Sequence, residues 1–92
     1  MSYRLIFTKS YSKRATQFLK RHPDLMGQYE KTLKLLEINP GHPSLRLHPL
    51  RGKLMGFHSV SINISYRITI ELIIREHAII PIYIGTHDEV YG

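Results

Sequence analysis

Several features that decide a protein's class are missing from this sequence of 92 residues. It has no cysteine, which excludes disulfides and thiolate metal sites, so we expect a chain that works in a reducing cytoplasm. No apolar run approaches the roughly 18 residues that a membrane-spanning helix needs, and the first residues lack the apolar core of a signal peptide. Glycine-rich nucleotide-binding motifs and the G-x-S-x-G elbow are also absent. We therefore expect no membrane association and no cofactor.

Acidic residues are scarce as well. Seven of them stand against 13 lysines and arginines, which gives a net charge of +6. Residues 1–53 hold 11 of the basic residues and three acidic ones, a net charge of +8, whereas residues 54–92 carry −2. A basic field attracts polyanions at long range. Nucleic acid is the first candidate partner, an acidic protein the second and an anionic membrane the third, and a basic domain without such a ligand is the remaining interpretation.

Hydrophobic periodicity predicts two helices after an N-terminal strand. Residues 3–8 are rich in aromatic and β-branched side chains, which is typical of a strand. Apolar residues recur at helical spacing over residues 11–19, where Ser10 or Ser12 is the expected N-cap. A second stripe over residues 25–36 predicts another helix after a tight turn. Together they would form a helical hairpin.

The second half of the sequence predicts strands. Residues 40–54 contain prolines, glycines and basic side chains, which indicates a basic loop. Residues 57–64, 65–74 and 79–85 alternate apolar and polar side chains, as half-buried antiparallel strands do. The sequence therefore predicts one α+β domain over residues 1–92, of order β-α-α-β-β-β. Its antiparallel sheet carries the helical hairpin on its isoleucine face, and the last strand contributes Ile80, Ile82 and Ile84 to that face.

The opposite face of the predicted sheet is polar and concave, with the basic loop at its entrance. RNA carries its own nucleophile, the ribose 2′-hydroxyl, so its cleavage needs only a base, an acid and a cation for the developing charge. Histidine and arginine suffice for these roles, and a metal site is disfavoured because no histidine pair has metal-ligand spacing. The candidates for the chemistry are His48, Arg67 and His87.

Other candidates surround these three residues, and each has a structural interpretation too. Arg67 could pair with Glu71, and Tyr66, which has the parity of the isoleucines, could pack in the core. The two histidines could be solvated or turn-forming residues. Ser61 could be a polar filler. The further candidates for RNA binding or base stacking are Arg51, Lys53, Phe57, Ser61, Tyr66 and Tyr91.

Three segments resemble the RelE/ParE superfamily of type II toxins, and in particular its YafQ-like branch of mRNA interferases. They are Leu-His-Pro-Leu-Arg-Gly-Lys-Leu-Met-Gly-Phe at residues 47–57, Ser-Tyr-Arg-Ile at residues 65–68 and Ile-Gly-Thr-His-Asp-Glu-Val-Tyr at residues 84–91. The resemblance covers the whole chain in element order. It implies the fold of that family, which is of the microbial-ribonuclease type.

The resemblance also implies residue roles. His48 and His87 match the acid–base histidines of the branch, although which is the base and which the acid stays open. Arg67 matches a catalytic arginine and Tyr66 an aromatic position. Tyr91 matches the terminal aromatic residue and is also a catalytic candidate.

The sequence departs from the branch at two positions. Ser61 stands where the branch has a further histidine, and Ser65 stands where it has an acid. These differences argue against a carboxylate-assisted mechanism. Either Arg67 and Lys53 compensate for the missing side chains, or the activity is weak.

The function that the resemblance implies is a cytoplasmic toxin that cleaves mRNA in the ribosomal A site as a metal-independent endoribonuclease. Its expected partners are a cognate acidic antitoxin, ribosomal RNA and mRNA, with operator DNA bound only through the antitoxin complex. Two alternatives stay open. One is a non-enzymatic, ParE-like toxin that inhibits DNA gyrase, and the other is an inactive module that only pairs with an antitoxin.

Overall fold

The computed structural model describes residues 2–86. His87 and Tyr91 therefore lie outside the described residues. Within that range, short 3₁₀ turns at Pro23–Leu25, Pro43–Leu45 and Gly52–Leu54 interrupt the main elements. These elements are β1 (Arg4–Leu5), α1 (Lys9–Arg21), α2 (Met26–Ile38), β2 (His48–Pro49), β3 (His58–Ser61), β4 (Tyr66–Ile73) and β5 (Ala78–Thr86).

Helix α1 begins earlier than the sequence predicts. Thr8 is the N-cap: its backbone is extended, and its hydroxyl oxygen accepts a hydrogen bond from the Tyr11 N–H at 3.1 Å. Ser10 and Ser12 lie inside the helix, so their prediction as caps was wrong. The helix ends at His22, because a residue that precedes proline disfavours the helical region.

The two helices pack on one face of the sheet, as predicted. Tyr11 and Phe18 from α1 are buried with Tyr29 and Leu36 from α2, and they share one core with the isoleucines of the sheet. The hydroxyls of Tyr11 and Tyr29 are 2.9 Å apart and form a hydrogen bond between the helices. Burial, together with the neighbouring Tyr29, raises the pKa of the Tyr11 phenol well above its ordinary value.

The described sheet has five strands in the order β1-β5-β4-β3-β2. The predicted meander of β3, β4 and β5 is confirmed, since both of its pairs are antiparallel. Two features differ from the prediction. β1 pairs with β5 in parallel, and β2 forms within the segment predicted as a loop, pairing with β3. Both of these edge strands are two residues long, too short to show an alternation in the sequence.

A β-bulge in β5 reverses the predicted parity of that strand. Thr69 pairs with Tyr83, but the next residue, Ile70, pairs with Pro81, so that Ile82 has no partner in the ladder. A bulge inserts one extra residue and turns the following side chains to the other face. The prediction that Ile80, Ile82 and Ile84 share the core face was therefore wrong. Ile82 is 38% exposed, and the buried residues of β5 are Ala78, Ile79, Pro81, Ile84 and Gly85.

Strand β3 is also shorter than predicted. It ends at Ser61, and Ile64, which the alternation assigned to the core, is 91% exposed in the connection to β4. The side-chain oxygen of Asn63 accepts hydrogen bonds from the N–H groups of Ser65 and Tyr66, both at 2.9 Å. Such local bonds offer the backbone an alternative to the ladder and stabilise a turn.

Candidate functional site

The sheet face opposite the helices brings several of the predicted site residues together. His48 pairs with Ser59, and Ser59 pairs in turn with Thr69, while Ser61 pairs with Arg67. Residues directly opposite each other in a ladder point to the same side of the sheet. His48, Ser61 and Arg67 thus lie on one face, as their positions in the sequence predict.

The centre of that face is closed rather than open. Ser59 is 0% exposed and Thr69 2% exposed, and within residues 2–86 neither hydroxyl has a hydrogen-bond partner. The predicted polar face is therefore present, but its centre is not accessible to solvent. The segment predicted as an entrance loop instead contacts β3 through the turn Pro43–Leu45 and adds β2 to the sheet.

The face opens at the end that carries Arg67. A cavity of about 230 Å³ lies there, between the turn before β2 and the connection from β3 to β4. The Ser61 hydroxyl is at its edge and donates a hydrogen bond to the Asn63 carbonyl at 2.6 Å. The lining side chains bring two positive charges and no described acidic group; the residues are Ser44, Arg46, Ser61, Ile62, Asn63, Ile64 and Arg67.

The Arg67 side chain is half-buried, and its charge is not neutralised within the described chain. Its Nε and Nη1 atoms are buried without a hydrogen-bond partner. Glu71, the candidate partner on the same face, is exposed and forms no ion pair with it, so that interpretation was wrong. A buried charged donor without an acceptor costs free energy. An anion at this position would supply the missing acceptors.

His48 is held in one tautomer by its hydrogen bond to the backbone. Its Nδ1 lies 3.1 Å from the Arg46 carbonyl oxygen. Because a carbonyl oxygen can only accept, Nδ1 carries the proton, and Nε2 of the neutral ring is the basic nitrogen. Arg46 itself has a left-handed backbone with φ 50, a conformation that is unfavourable for a residue other than glycine. Such strain often marks a functional site.

The spacing of His48 and Arg67 follows from the sheet. They are two strands and two residues apart, because His48 is level with Thr69 across β3. With strands about 4.8 Å apart and a rise of about 3.3 Å per residue, their Cα atoms are about 12 Å apart. Both side chains leave the same face, so an imidazole and a guanidinium can approach one small group from two sides.

The other basic and aromatic candidates lie around the connection from β2 to β3. Arg51 and Lys53 are exposed in and beside the turn Gly52–Leu54. Phe57 is half-buried, and its carbonyl oxygen accepts a hydrogen bond from the Leu50 N–H at 2.9 Å. This connection begins directly after the strand of His48. The RNA-binding roles of these three candidates stay predictions.

Tyr66 lies on the other side of the sheet from Arg67. Adjacent residues in a strand point to opposite faces, and the Tyr66 ring packs 5.1 Å from Phe18 and 4.8 Å from His22, measured between ring centroids. Tyr66 therefore packs against the core, which agrees with its parity in the sequence. This tyrosine lines a second cavity, of about 270 Å³, beneath helix α1. Sequence periodicity does not predict this cavity, although Arg14, Gln17 and Arg21 form a polar stripe on α1.

Two further observations concern residues 2–86 alone. No group of three histidine or acidic side chains in this range is arranged to hold a metal ion. No helix in it has the length and the apolar character that crossing a membrane requires.

Comparison with known proteins places this fold. No protein-family model matches the sequence, and no curated protein matches it significantly. The crystal structure of YafQ from E. coli superposes with a TM-score of 0.76 at 22% identity, covering 98% of this chain and 99% of YafQ.

Two more solved structures extend the likeness. The matched chain of the E. coli DinJ–YafQ toxin–antitoxin complex gives a TM-score of 0.77 at 23% identity, and the match covers 100% of this chain and 100% of that one. A YoeB/ParE toxin from Agrobacterium tumefaciens gives a TM-score of 0.70 at 18% identity, over 91% of this chain and 98% of the other. This chain therefore has the α+β fold of the RelE/ParE superfamily toxins, close to that of YafQ, as the sequence resemblance predicts.

Proposed function

We propose that this chain is the toxin of a type II toxin–antitoxin system and that it cleaves mRNA in the ribosomal A site as a metal-independent endoribonuclease. The observation that carries the proposal is that His48 and Arg67 lie on the same face of a sheet with a toxin fold. An oriented imidazole supplies the base, and a guanidinium whose Nε and Nη1 atoms have no hydrogen-bond partner among residues 2–86 supplies the positive charge. The solved neighbours are themselves described as toxins.

The chemistry begins with proton transfer from the RNA. Nε2 of His48 removes the proton of a ribose 2′-hydroxyl, and the 2′-oxygen forms a bond to the adjacent phosphorus. The bond from phosphorus to the 5′-oxygen of the next nucleotide then breaks. His87, which directly follows β5 in the sequence, protonates that leaving oxygen. The products are a 2′,3′-cyclic phosphate and a 5′-hydroxyl. His48 is the base in this scheme because its Nδ1 already donates to the Arg46 carbonyl.

Arg67 stabilises the pentacovalent phosphorus, on which negative charge develops. The guanidinium needs acceptors for Nε and Nη1, and the phosphorane oxygens provide them. A donor that is already oriented and partly desolvated is worth more than one in water. Tyr91, which the resemblance aligns with a terminal aromatic residue, would pack against a base beside the cut.

The charge distribution supports the proposed partners. The net charge of +8 on residues 1–53 would dock the protein on ribosomal RNA. The same charge would attract a cognate acidic antitoxin, and one solved neighbour, DinJ–YafQ, is described as a toxin–antitoxin complex. Operator DNA would be bound only through that antitoxin complex, and the cytoplasm is the proposed location.

The proposal is tested by incubating the purified protein with ribosomes programmed with mRNA. His48→Asn should lower the cleavage rate by a factor of about 100 or more, the usual contribution of a positioned base. The matched control is His77→Asn. His77 lies in the turn that joins β4 to β5, so this variant removes the same type of side chain at a position away from the site. The φ of His77 is 50, in the left-handed region, which asparagine tolerates.

Three outcomes would change the assignment. Cleavage by His48→Asn at the wild-type rate would remove His48 as the base. Inhibition of gyrase supercoiling by a wild-type protein that cleaves no mRNA would favour the ParE-like function. If the protein does neither and still binds an antitoxin, it is an inactive antitoxin-binding module.

A further inference from the structure

The cavity of about 270 Å³ beneath helix α1 is not part of the face that carries His48 and Arg67. It lies between α1 and the last residues of β5, with Tyr66 from β4 on its wall. Arg14 and Arg21 bring two positive charges to its rim, and no acidic residue is among its described lining. Gln17 and Thr86 add polar groups. The cavity thus favours a ligand that is anionic.

The position of the two arginines is set by the helix. Arg14, Gln17 and Arg21 follow one another at intervals of three and four residues, which places them on one side of α1. The Arg14 guanidinium lies 4.4 Å from the centre of the Tyr83 ring, a cation–π contact that fixes its orientation. Arg21 is exposed at the last turn of the helix, where it is free to approach a ligand.

One wall of the cavity is aromatic. The His22 ring lies 4.6 Å from the centre of Phe18 and 4.8 Å from that of Tyr66. Phe18 is buried in the core and meets Tyr66 edge-on at 5.1 Å. The rings therefore support one another, and they present flat apolar surface beside the arginines. A nucleotide offers the matching groups, namely a flat base and a phosphate.

The cavity and the Arg67 site are back to back at the same end of the sheet. Tyr66 pairs with Thr86, and the next pair along the ladder is Arg67 with Gly85. Because neighbouring residues point to opposite faces, one sheet thickness separates the two sites. An RNA strand that reaches Arg67 can continue around the end of β4 and β5 to the other face.

We propose that this cavity binds a nucleotide of single-stranded RNA next to the one that is cleaved. Its base packs on Tyr66 and His22, and its phosphate contacts Arg21 and Arg14. The identity of the ligand as RNA rests on the proposed function. The aromatic wall favours RNA over an acidic peptide, which would use the arginines and leave the rings without a partner.

The test is fluorescence anisotropy with a labelled hexanucleotide of 2′-O-methyl RNA, which has no free 2′-hydroxyl and is not cleaved. Arg21→Gln should weaken binding about tenfold. It should also make the negative slope of log K against log salt shallower by roughly 0.7, the effect of losing one phosphate contact on a single strand. Lys13→Gln is the matched control, since it removes one exposed charge from the same helix outside the cavity, and it should change affinity less than twofold. Tyr66→Leu should weaken binding at least fivefold without altering the salt slope.

Several results would overturn the inference. One is that the wild-type protein does not bind the hexanucleotide. Another is that Arg21→Gln and Lys13→Gln lose affinity for it equally. A third is that a hexaglutamate peptide binds more tightly than the RNA and that Arg21→Gln loses affinity for the peptide instead. The assay uses neither ribosomes nor cleavage, so its outcome is separate from that of the proposed function. A His48→Asn protein that has lost cleavage but still binds the hexanucleotide through Arg21 supports both proposals.

Discussion

Replacing Arg67 by methionine should make the protein more stable while removing the proposed cleavage activity. Methionine is unbranched and of comparable length, and it carries neither the charge nor the donors. Within the described chain, the Nε and Nη1 atoms of Arg67 are buried without acceptors. The substitution therefore removes a cost from the folded state and breaks no hydrogen bond of these two atoms.

The size of the gain follows from the two buried donors. An unsatisfied buried polar group costs about 1–3 kcal/mol, and Arg67 as a whole is half-buried, so that solvent reduces the value for the charge itself. We expect the free energy of unfolding to rise by about 1 kcal/mol. In a domain of this size that corresponds to an increase in Tm of about 4–8 °C.

The assay is urea unfolding followed by circular dichroism, with and without inorganic phosphate. Phosphate should stabilise the wild-type protein, because a ligand that binds the folded state shifts the unfolding equilibrium, and it should stabilise Arg67→Met less. Arg75→Met, which replaces an exposed arginine, is the control and should change stability by less than about 0.5 kcal/mol. On programmed ribosomes, Arg67→Met should cleave about 100-fold more slowly than wild type. A loss of more than about 1 kcal/mol in Arg67→Met would instead show that the guanidinium supports the fold.

Three further predictions concern the fold. Thr8→Ala should cost about 1 kcal/mol in the free energy of unfolding through loss of the N-cap, whereas Ser10→Ala should be neutral; equal effects in urea unfolding would contradict the assignment of the cap. Since burial holds the pKa of Tyr11 in the folded protein above its ordinary value of 10.0, stability should be fully present below about pH 10 and fall at higher pH. Tyr11→Phe should weaken that fall, and denaturant unfolding between pH 8 and 11 would show it. Ile68→Ala should cost about 2–5 kcal/mol and Ile64→Ala almost nothing, although both positions alternate with polar residues; a comparable loss in thermal unfolding at Ile64 would place it in the core.

The helices and the meander could be predicted because each carries enough turns or alternations to show its period. Tyr11, Ala15 and Phe18 recur along one side of α1, and all three are buried. Ile68 and Ile70 alternate with Arg67 and Thr69 in β4, and both are buried on the helix side. A buried face whose residues recur at regular spacing can be predicted from the sequence.

The errors have local causes that periodicity does not contain. One extra residue at Ile82 changes which residues of β5 face the core, and the alternation of apolar and polar residues does not predict such a bulge. Strand β2 takes its place by pairing with β3, which depends on the fold rather than on the two residues themselves. Burial of Ser59 and Thr69 on the polar face is likewise a tertiary effect, since serine and threonine are common on exposed faces.

The candidate site was predictable in part for the same reasons. The parity of Arg67 placed it on the polar face, and the pairing of β2 brought His48 to that face. The tautomer of His48 was not predictable, because it depends on the left-handed turn at Arg46. Tyr66 and Arg67 are adjacent in β4, so the sequence predicts that they point to opposite faces of the sheet. This is the reason that two sites exist at this end of the sheet.

The proposed cleavage of RNA by acid–base chemistry through the ribose 2′-hydroxyl determines which ends the fragments carry. These ends can be identified on mRNA cut by the purified protein on ribosomes. We expect upstream fragments that end in a 2′,3′-cyclic phosphate and downstream fragments that begin with a 5′-hydroxyl, with both products lost in His87→Gln. Downstream fragments that begin with a 5′-phosphate, or undiminished cleavage by His87→Gln, would contradict it.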